Sequence, residues 1–185
     1  MINSKKELRD YLQVELPRYS VGKLVYYLQG SEAAILRKHQ IILRKAEYYT
    51  NTHKRLRSLF YRYRLNKIQN RYSLHIPINT CGKGLHIMHL GPILINGDAR
   101  IGENCVFHIN TCIVAGGVRG VPVLGNNIIM GVGSIILGNV SVADGVAVGA
   151  NAVVTKTIDE GDIAVAGIPA HKVSNNGKSS WNKKT

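Results

Sequence analysis

Ten apolar residues in the second half of the chain repeat every six positions, in two phases. Ile95, Ile101, Phe107 and Ile113 hold the first phase, and Leu124, Met130, Ile136, Val142, Val148 and Val154 the second. The next residue is often Gly or another small one, as at Gly102, Gly125, Gly131, Ala143 and Gly149. The fifth place is small or branched: Ala99, Cys105, Thr111, Ser134, Val140, Val146 and Ala152. A fixed short period marks a solenoid. It is too sparse for an amphipathic helix and wrong for an alternating strand. It fits a parallel β-helix with three short strands per coil, a turn at each corner, and the first and fifth residues pointing inward. Each coil buries its apolar surface only against its neighbours, so several coils and a cap are needed.

The spacing breaks twice. From Ile113 to Leu124 it is eleven, and the extra residues fall within Ala115–Pro122 (AGGVRGVP), which carries Arg119. An insertion in a solenoid leaves as a loop on one face. Upstream, His75, Cys81, Ile87 and Ile93 share a phase that shifts by two to Ile95. Breaks in a regular scaffold are where function is expected, since loops carry chemistry.

The net charge of +13 is uneven: residues 1–72 hold 16 Lys+Arg against 5 Asp+Glu, and the remainder 8 against 6. All nine tyrosines also lie in the first 72 residues. The chain therefore reads as a basic helical region (1–72), a β-helix (73–173) and a polar tail (174–185) expected to be disordered. No apolar run has membrane-span length, and the start lacks the apolar stretch of a signal peptide, so a cytoplasmic location is the default expectation. Cys81 and Cys105 fall at inward positions and Cys112 at a coil end, with neither a metal nor a disulfide pattern.

In the N-terminal region, Ser4 or Asn3 caps a helix over Lys5–Glu15 that Pro17 stops. Ser31 caps a second helix to Tyr49, with Ile35, Ile42, Ala46 and Tyr49 on one face. Thr52 starts a third, in which Leu56, Leu59, Phe60 and Tyr63 form a stripe expected to pack on the first coils or on another subunit. Lys54, Arg55, Arg57, Arg62 and Arg64 occupy its other faces. A solvated surface and contact with an anionic membrane, peripheral to its inner face, both account for the charge. No recognised motif accompanies it, and nucleic acid is not expected as a partner.

Among the histidines, His89 stands out. It lies two places after Ile87, beside the two-residue shift, and Leu90-Gly91-Pro92 after it cannot continue a regular coil. Histidine is the side chain best suited to proton transfer near neutral pH.

The segment GKGLHIMHLGPILINGDARIGENC, then GVPVLGNNIIMGVGSIILGNVSVADGVAVGANAVVTK and AVAGIPAHKV, resembles the serine acetyltransferase branch of the hexapeptide acyltransferases. The likeness is strongest to short members associated with polysaccharide biosynthesis, and it covers about residues 74–173. It implies left-handed coils and acetyl-CoA as acetyl donor, with no metal. It also implies direct transfer to an acceptor hydroxyl, with His89 as general base. It places cofactor contacts at Gly131, Val132 (where relatives often have Ser), Ala150, Thr155 and Lys156. Ile168-Pro169-Ala170 matches a closing loop, and Lys172 offers a point charge to a CoA phosphate. His108, about one coil beyond His89, and Arg119 are candidates for acceptor binding, with a plain surface role equally open for each.

Departures from the family pattern bear on the acceptor. Leu74 and Met88 stand where family members carry aspartates, the one matching Leu74 being the residue that orients the catalytic histidine. Val121 replaces a histidine that helps hold serine. A backbone carbonyl, Asn79 or a neighbouring subunit is left to orient His89. Serine and a sugar hydroxyl both remain open as acceptors. The chain end, Lys-Lys-Thr185, lacks the Ile with which the family's docking tail ends. The resemblance implies a homotrimer with its site shared between subunits, and the hexamer is left open. Two other readings of the fold are a non-catalytic scaffold and a zinc enzyme like the trimeric carbonic anhydrases, although His86, His89 and His108 lack that family's His-x4-His pair.

Overall fold

A computed structural model describes residues 1–19, 25, 28–117 and 120–181. The chain divides into two compact units, Met1–Leu74 and His75–Thr185.

The first unit is helical. Helix α1 (Lys5–Glu15) starts at a reciprocal cap in which the Ser4 side chain accepts from the Glu7 N–H and Ser4 N–H donates to Glu7 Oε2. Such a cap satisfies two amide donors that the helix cannot. A 3-10 turn at Leu16–Arg18, with Pro17 in its first turn, ends it. Helix α2 (Glu32–Asn51) is capped by Ser31. Helix α3 spans Arg55–Tyr72 and does not begin at Thr52. The Thr52 hydroxyl donates back to the Tyr48 carbonyl at 2.7 Å and closes α2. His53, at φ 54°, makes the turn into α3.

The centre of this unit is charged. Arg44 is fully buried, with its guanidinium 2.7 Å from Glu15 and 2.9 Å from Glu47. Burial opposes that charge, but the carboxylates of Glu47 and Glu15 outweigh it and hold Arg44 protonated above the ordinary arginine range. Gln69 of α3 lies 3.2 Å from His39 Nε2 on α2. The expected apolar stripe of α3 is exposed to solvent: Leu56 by 85%, Leu59 by 70%, Phe60 by 53% and Tyr63 by 64%.

The second unit is a parallel β-helix. Strands β4 (Arg100–Ile101), β7 (Val123–Leu124) and β10 (Ser141–Val142) form one face. Strands β2 (His86–Ile87), β5 (Val106–Phe107), β8 (Ile129–Met130), β11 (Ala147–Val148) and β13 (Ala164–Ala166) form a second, which β14 (His171–Ser174) extends antiparallel. The third holds β1 (Leu74–His75), β3 (Ile93–Ile95), β6 (Thr111–Val114), β9 (Ile135–Leu137) and β12 (Val153–Val154). The chain visits the three faces in rotation. All ten residues on the six-residue spacing are buried, as are the small fifth-place residues from Ala99 to Ala152 named above. His75 differs from expectation: Leu74 and Ile76 point inward and His75 outward, because β1 alternates sides as a strand must.

The tail also differs. The Gly177 and Lys178 N–H groups donate to the Asp162 and Gly145 carbonyls. The Ser179 hydroxyl donates to Asp162 Oδ2 at 2.6 Å, and the Lys178 ammonium donates to the Asn104 carbonyl. A short helix α4 (Lys178–Trp181) follows from these contacts. The stacked corners offer a column of backbone carbonyls, so a polar segment is held without an apolar anchor. Among the described residues, no helix is long and apolar enough to cross a membrane.

Candidate active site

Register brings the candidate residues to one corner. Ile87 pairs with Phe107, Phe107 with Met130 and Met130 with Val148. One place further on stand Met88, His108, Gly131 and Gly149. Their N–H groups donate to the carbonyl of the coil above: Met88 to Phe107, His108 to Met130, Gly131 to Val148 and Gly149 to Val165. By count, the next row holds His89, Ile109, Val132 and Ala150. The hexad spacing thus turns four distant sequence positions into one column.

This corner is enlarged at His89. Ile95 pairs with Ile113, so the path from Ile87 to Ile95 takes eight residues where the coil above takes six from Phe107 to Ile113. The two extra residues carry His89 outward, and it is exposed. Its ring centroid lies 6.5 Å from that of His108, tilted by 45°. His108 is half-buried. Burial, and then the nearby charge of His89, hold its pKa below the ordinary histidine value, which favours a neutral ring at neutral pH.

His108 lines a cleft of about 850 Å³ together with Gly131, Val132 and Ala150. That volume lies within the range of small-molecule sites. Its walls are mainly small and apolar, from Ile129, Ala147 and Val165 among others. Gly131 is required by space: a Cβ there would stand 2.8 Å from the Ala150 nitrogen and 2.9 Å from the Val148 carbonyl oxygen. Asn176, Gly177 and Ser180 of the tail also line the cleft, and no sequence signal marked them. Gly149 and Ala166 were legible in principle, since they occupy the column of Gly131.

Other candidates are elsewhere. Thr155 and Lys156 are exposed and follow β12, at the corner between the third face and the first, and the cleft lining does not include them. The loop from Ala115 leaves at the same corner, and Arg119 within it lies outside the described residues. Asn79 also sits at that corner, half-buried and at φ 64°. Lys172 is on β14 with its ammonium 2.5 Å from Glu160. Ile168-Pro169-Ala170 forms the turn between β13 and β14. Cys105 is buried, and burial pushes its thiol up to about 11, which suits a core filler better than a nucleophile. Among the described residues, no cluster of His, Cys, Asp and Glu stands where it could hold a metal ion.

Known proteins resemble the chain in sequence and in fold. No family model matches the chain. A serine acetyltransferase from Buchnera aphidicola subsp. Acyrthosiphon pisum is 30% identical over 154 residues, covering 80% of this chain and 52% of that protein. One from Helicobacter pylori is 37% identical over 87 residues, covering 45% of this chain and 51% of its own. The chain resembles the serine acetyltransferases. It spans about half the length of the curated serine acetyltransferases it matches. The fold is shared as well. The Neisseria gonorrhoeae serine acetyltransferase in complex with serine superposes with a TM-score of 0.66 at 18% identity, over 92% of this chain and 71% of that one. The Brucella abortus serine acetyltransferase in complex with coenzyme A gives 0.68 at 20%, over 94% and 70%.

Proposed function

We propose that the protein is an acetyl-CoA-dependent O-acetyltransferase, wound left-handed like its structural neighbours, with His89 as general base. The observation that carries this reading is the corner itself. An exposed histidine on an enlarged turn stands 6.5 Å, ring to ring, from His108, which lines a cleft that Gly131 keeps open. Relatives named serine acetyltransferase, and structural neighbours holding serine or coenzyme A, support acetyl transfer as the reaction class.

In the reaction, His89 takes the proton of an acceptor hydroxyl as its oxygen attacks the acetyl thioester carbonyl. Backbone N–H groups at a coil turn stabilise the oxyanion, and CoA leaves as the tetrahedral adduct collapses. No acyl-enzyme forms, so no Ser or Cys nucleophile is needed. The small apolar walls suit the uncharged arm of CoA. Thr155, Lys156 and Lys172 are assigned to the cofactor, with Lys172 exchanging Glu160 for a phosphate. Since Thr155 and Lys156 lie at another corner, a site shared between subunits of a trimer accommodates both sets of residues.

A sugar hydroxyl of a surface polysaccharide precursor is the favoured acceptor, with L-serine the alternative. Leu74 and Val121 remove groups that orient the base and hold serine in that branch. His108, neutral and in the cleft, and Arg119 are assigned to the acceptor. The positive helical unit brings this site to an anionic membrane face, where lipid-linked precursors lie. The test is thiol release from acetyl-CoA with L-serine and with a panel of sugars and nucleotide sugars. Release with a sugar alone supports the glycan reading, and release with serine alone overturns it. If neither acceptor gives release and CoA does not bind, the scaffold reading replaces both.

A further inference from the structure

Helix α3 has one covered side and one uncovered apolar side. At 100° per residue, Ser58, Tyr61, Leu65 and Gln69 share one side. They meet α2: Tyr61 stacks on Tyr49 at 5.2 Å, Ser58 bonds Thr50 at 2.8 Å, and Leu65 is buried. Leu56, Leu59, Phe60 and Tyr63 fall on the opposite side, and all four are exposed. The first side packs on α2, and the apolar second side is not covered within the helical unit.

The surroundings of that second side are positive. From Arg55 to Tyr72 the helix carries six basic residues and no acidic one. By angle, Arg55 and Arg62 border the stripe on one side and Arg57, Arg64 and Arg71 on the other. Next to it lies a groove of about 190 Å³, lined by Lys38, Arg64, Lys67 and Arg71 over Ile35 and Ile68. No carboxylate is among its lining residues.

We propose that this face of α3 and its groove dock on an anionic lipid bilayer, with Leu56, Leu59, Phe60 and Tyr63 entering the interface and the groove taking a lipid phosphate. Charge selects the occupant. A second copy would set one region of 16 basic and 5 acidic residues against another of the same sign. An anionic surface is complementary instead, and it accepts both parts: aromatic and aliphatic groups at headgroup depth, and cations at the phosphates. This assignment rests on the peripheral-membrane reading above and is independent of acetyl transfer.

The experiment is co-sedimentation of the full chain with vesicles of phosphatidylcholine alone, and of phosphatidylcholine and phosphatidylglycerol in equal parts. The wild type is expected to bind only the anionic vesicles, more weakly as salt rises. Leu56→Ser with Leu59→Ser keeps every charge and removes exposed groups only. It should weaken binding about tenfold or more, with an unchanged unfolding midpoint. Lys67→Glu with Arg71→Glu should do likewise. Undiminished binding by the serine pair overturns this face while sparing the membrane reading. No binding by the wild type overturns both. Self-association without vesicles that the serine pair abolishes, or nucleic-acid binding that the glutamate pair abolishes with no vesicle binding, assigns the face to those occupants instead.

Discussion

In the coil unit the same inward place recurs on every face, so Phe107, Met130 and Val148 stack one above another and no single residue is the centre. In the helical unit the centre is one guanidinium, Arg44, held by Glu15 and Glu47 with no exposure to water. The two units are therefore vulnerable in different places. A repeat shares a local loss with its neighbours. A buried ion network loses its compensation all at once, because removing one partner leaves the other charges buried and unpaired.

The comparison breaks most readily at Arg44. Arg44→Ala should cost the helical unit about 3–5 kcal/mol in urea unfolding followed by helical circular dichroism. A cost below about 1 kcal/mol would mean that water or rearrangement relieves Glu15 and Glu47, and that the contrast between the units is false.

Acid should sharpen it next. Burial pushes His39 down from 6.5 to about 4, against an upward pull from a hydrogen bond to Gln40, with the Arg44 charge adding a smaller downward push. As pH falls, the unfolded chain takes up this proton first. The contribution is therefore complete above about 6.5 and is lost between about 6.5 and 4, by roughly 3 kcal/mol at most. His39→Gln should flatten helical stability over that window. His108 in the coil unit is lowered too, but it is partly exposed and should contribute less.

The smallest effect should come from the repeat. A Cβ at Gly131 meets backbone atoms that are already in the ladder, so Gly131→Ala should cost about 1–3 kcal/mol of coil stability. Coenzyme A binding by the same variant should fall, since the added methyl also narrows the cleft. A loss as large as that of Arg44→Ala would show that the coils do not spread strain.

Periodic features were legible in the sequence and singular ones were not. The six-residue spacing predicted the inward residues from Ile95 to Val154, because burial there is set by a rule that repeats. Ser4, Ser31 and Pro17 marked helix ends because capping is local chemistry. Arg44 gave no signal, since Glu15 is 29 residues away and a charged residue ordinarily faces water. The stripe at Leu56 has helical spacing in either case, so periodicity could not say whether anything covers it. The two-residue shift located His89 correctly on an irregular corner. The column holding His108, Gly131 and Gly149 needed the register to be seen, and Thr155 and Lys156 needed it to be set apart. The tail docks through backbone groups and the side chains of Lys178 and Ser179, which composition cannot reveal.

The proposed transfer of a proton from an acceptor hydroxyl to His89 takes place at the enlarged corner. It is tested most directly by the rate of thiol release from acetyl-CoA, with the acceptor that supports it, by the wild type and by His89→Ala. His89→Ala should lower kcat by about 100- to 10,000-fold with coenzyme A still bound. A variant that keeps the wild-type rate would contradict it.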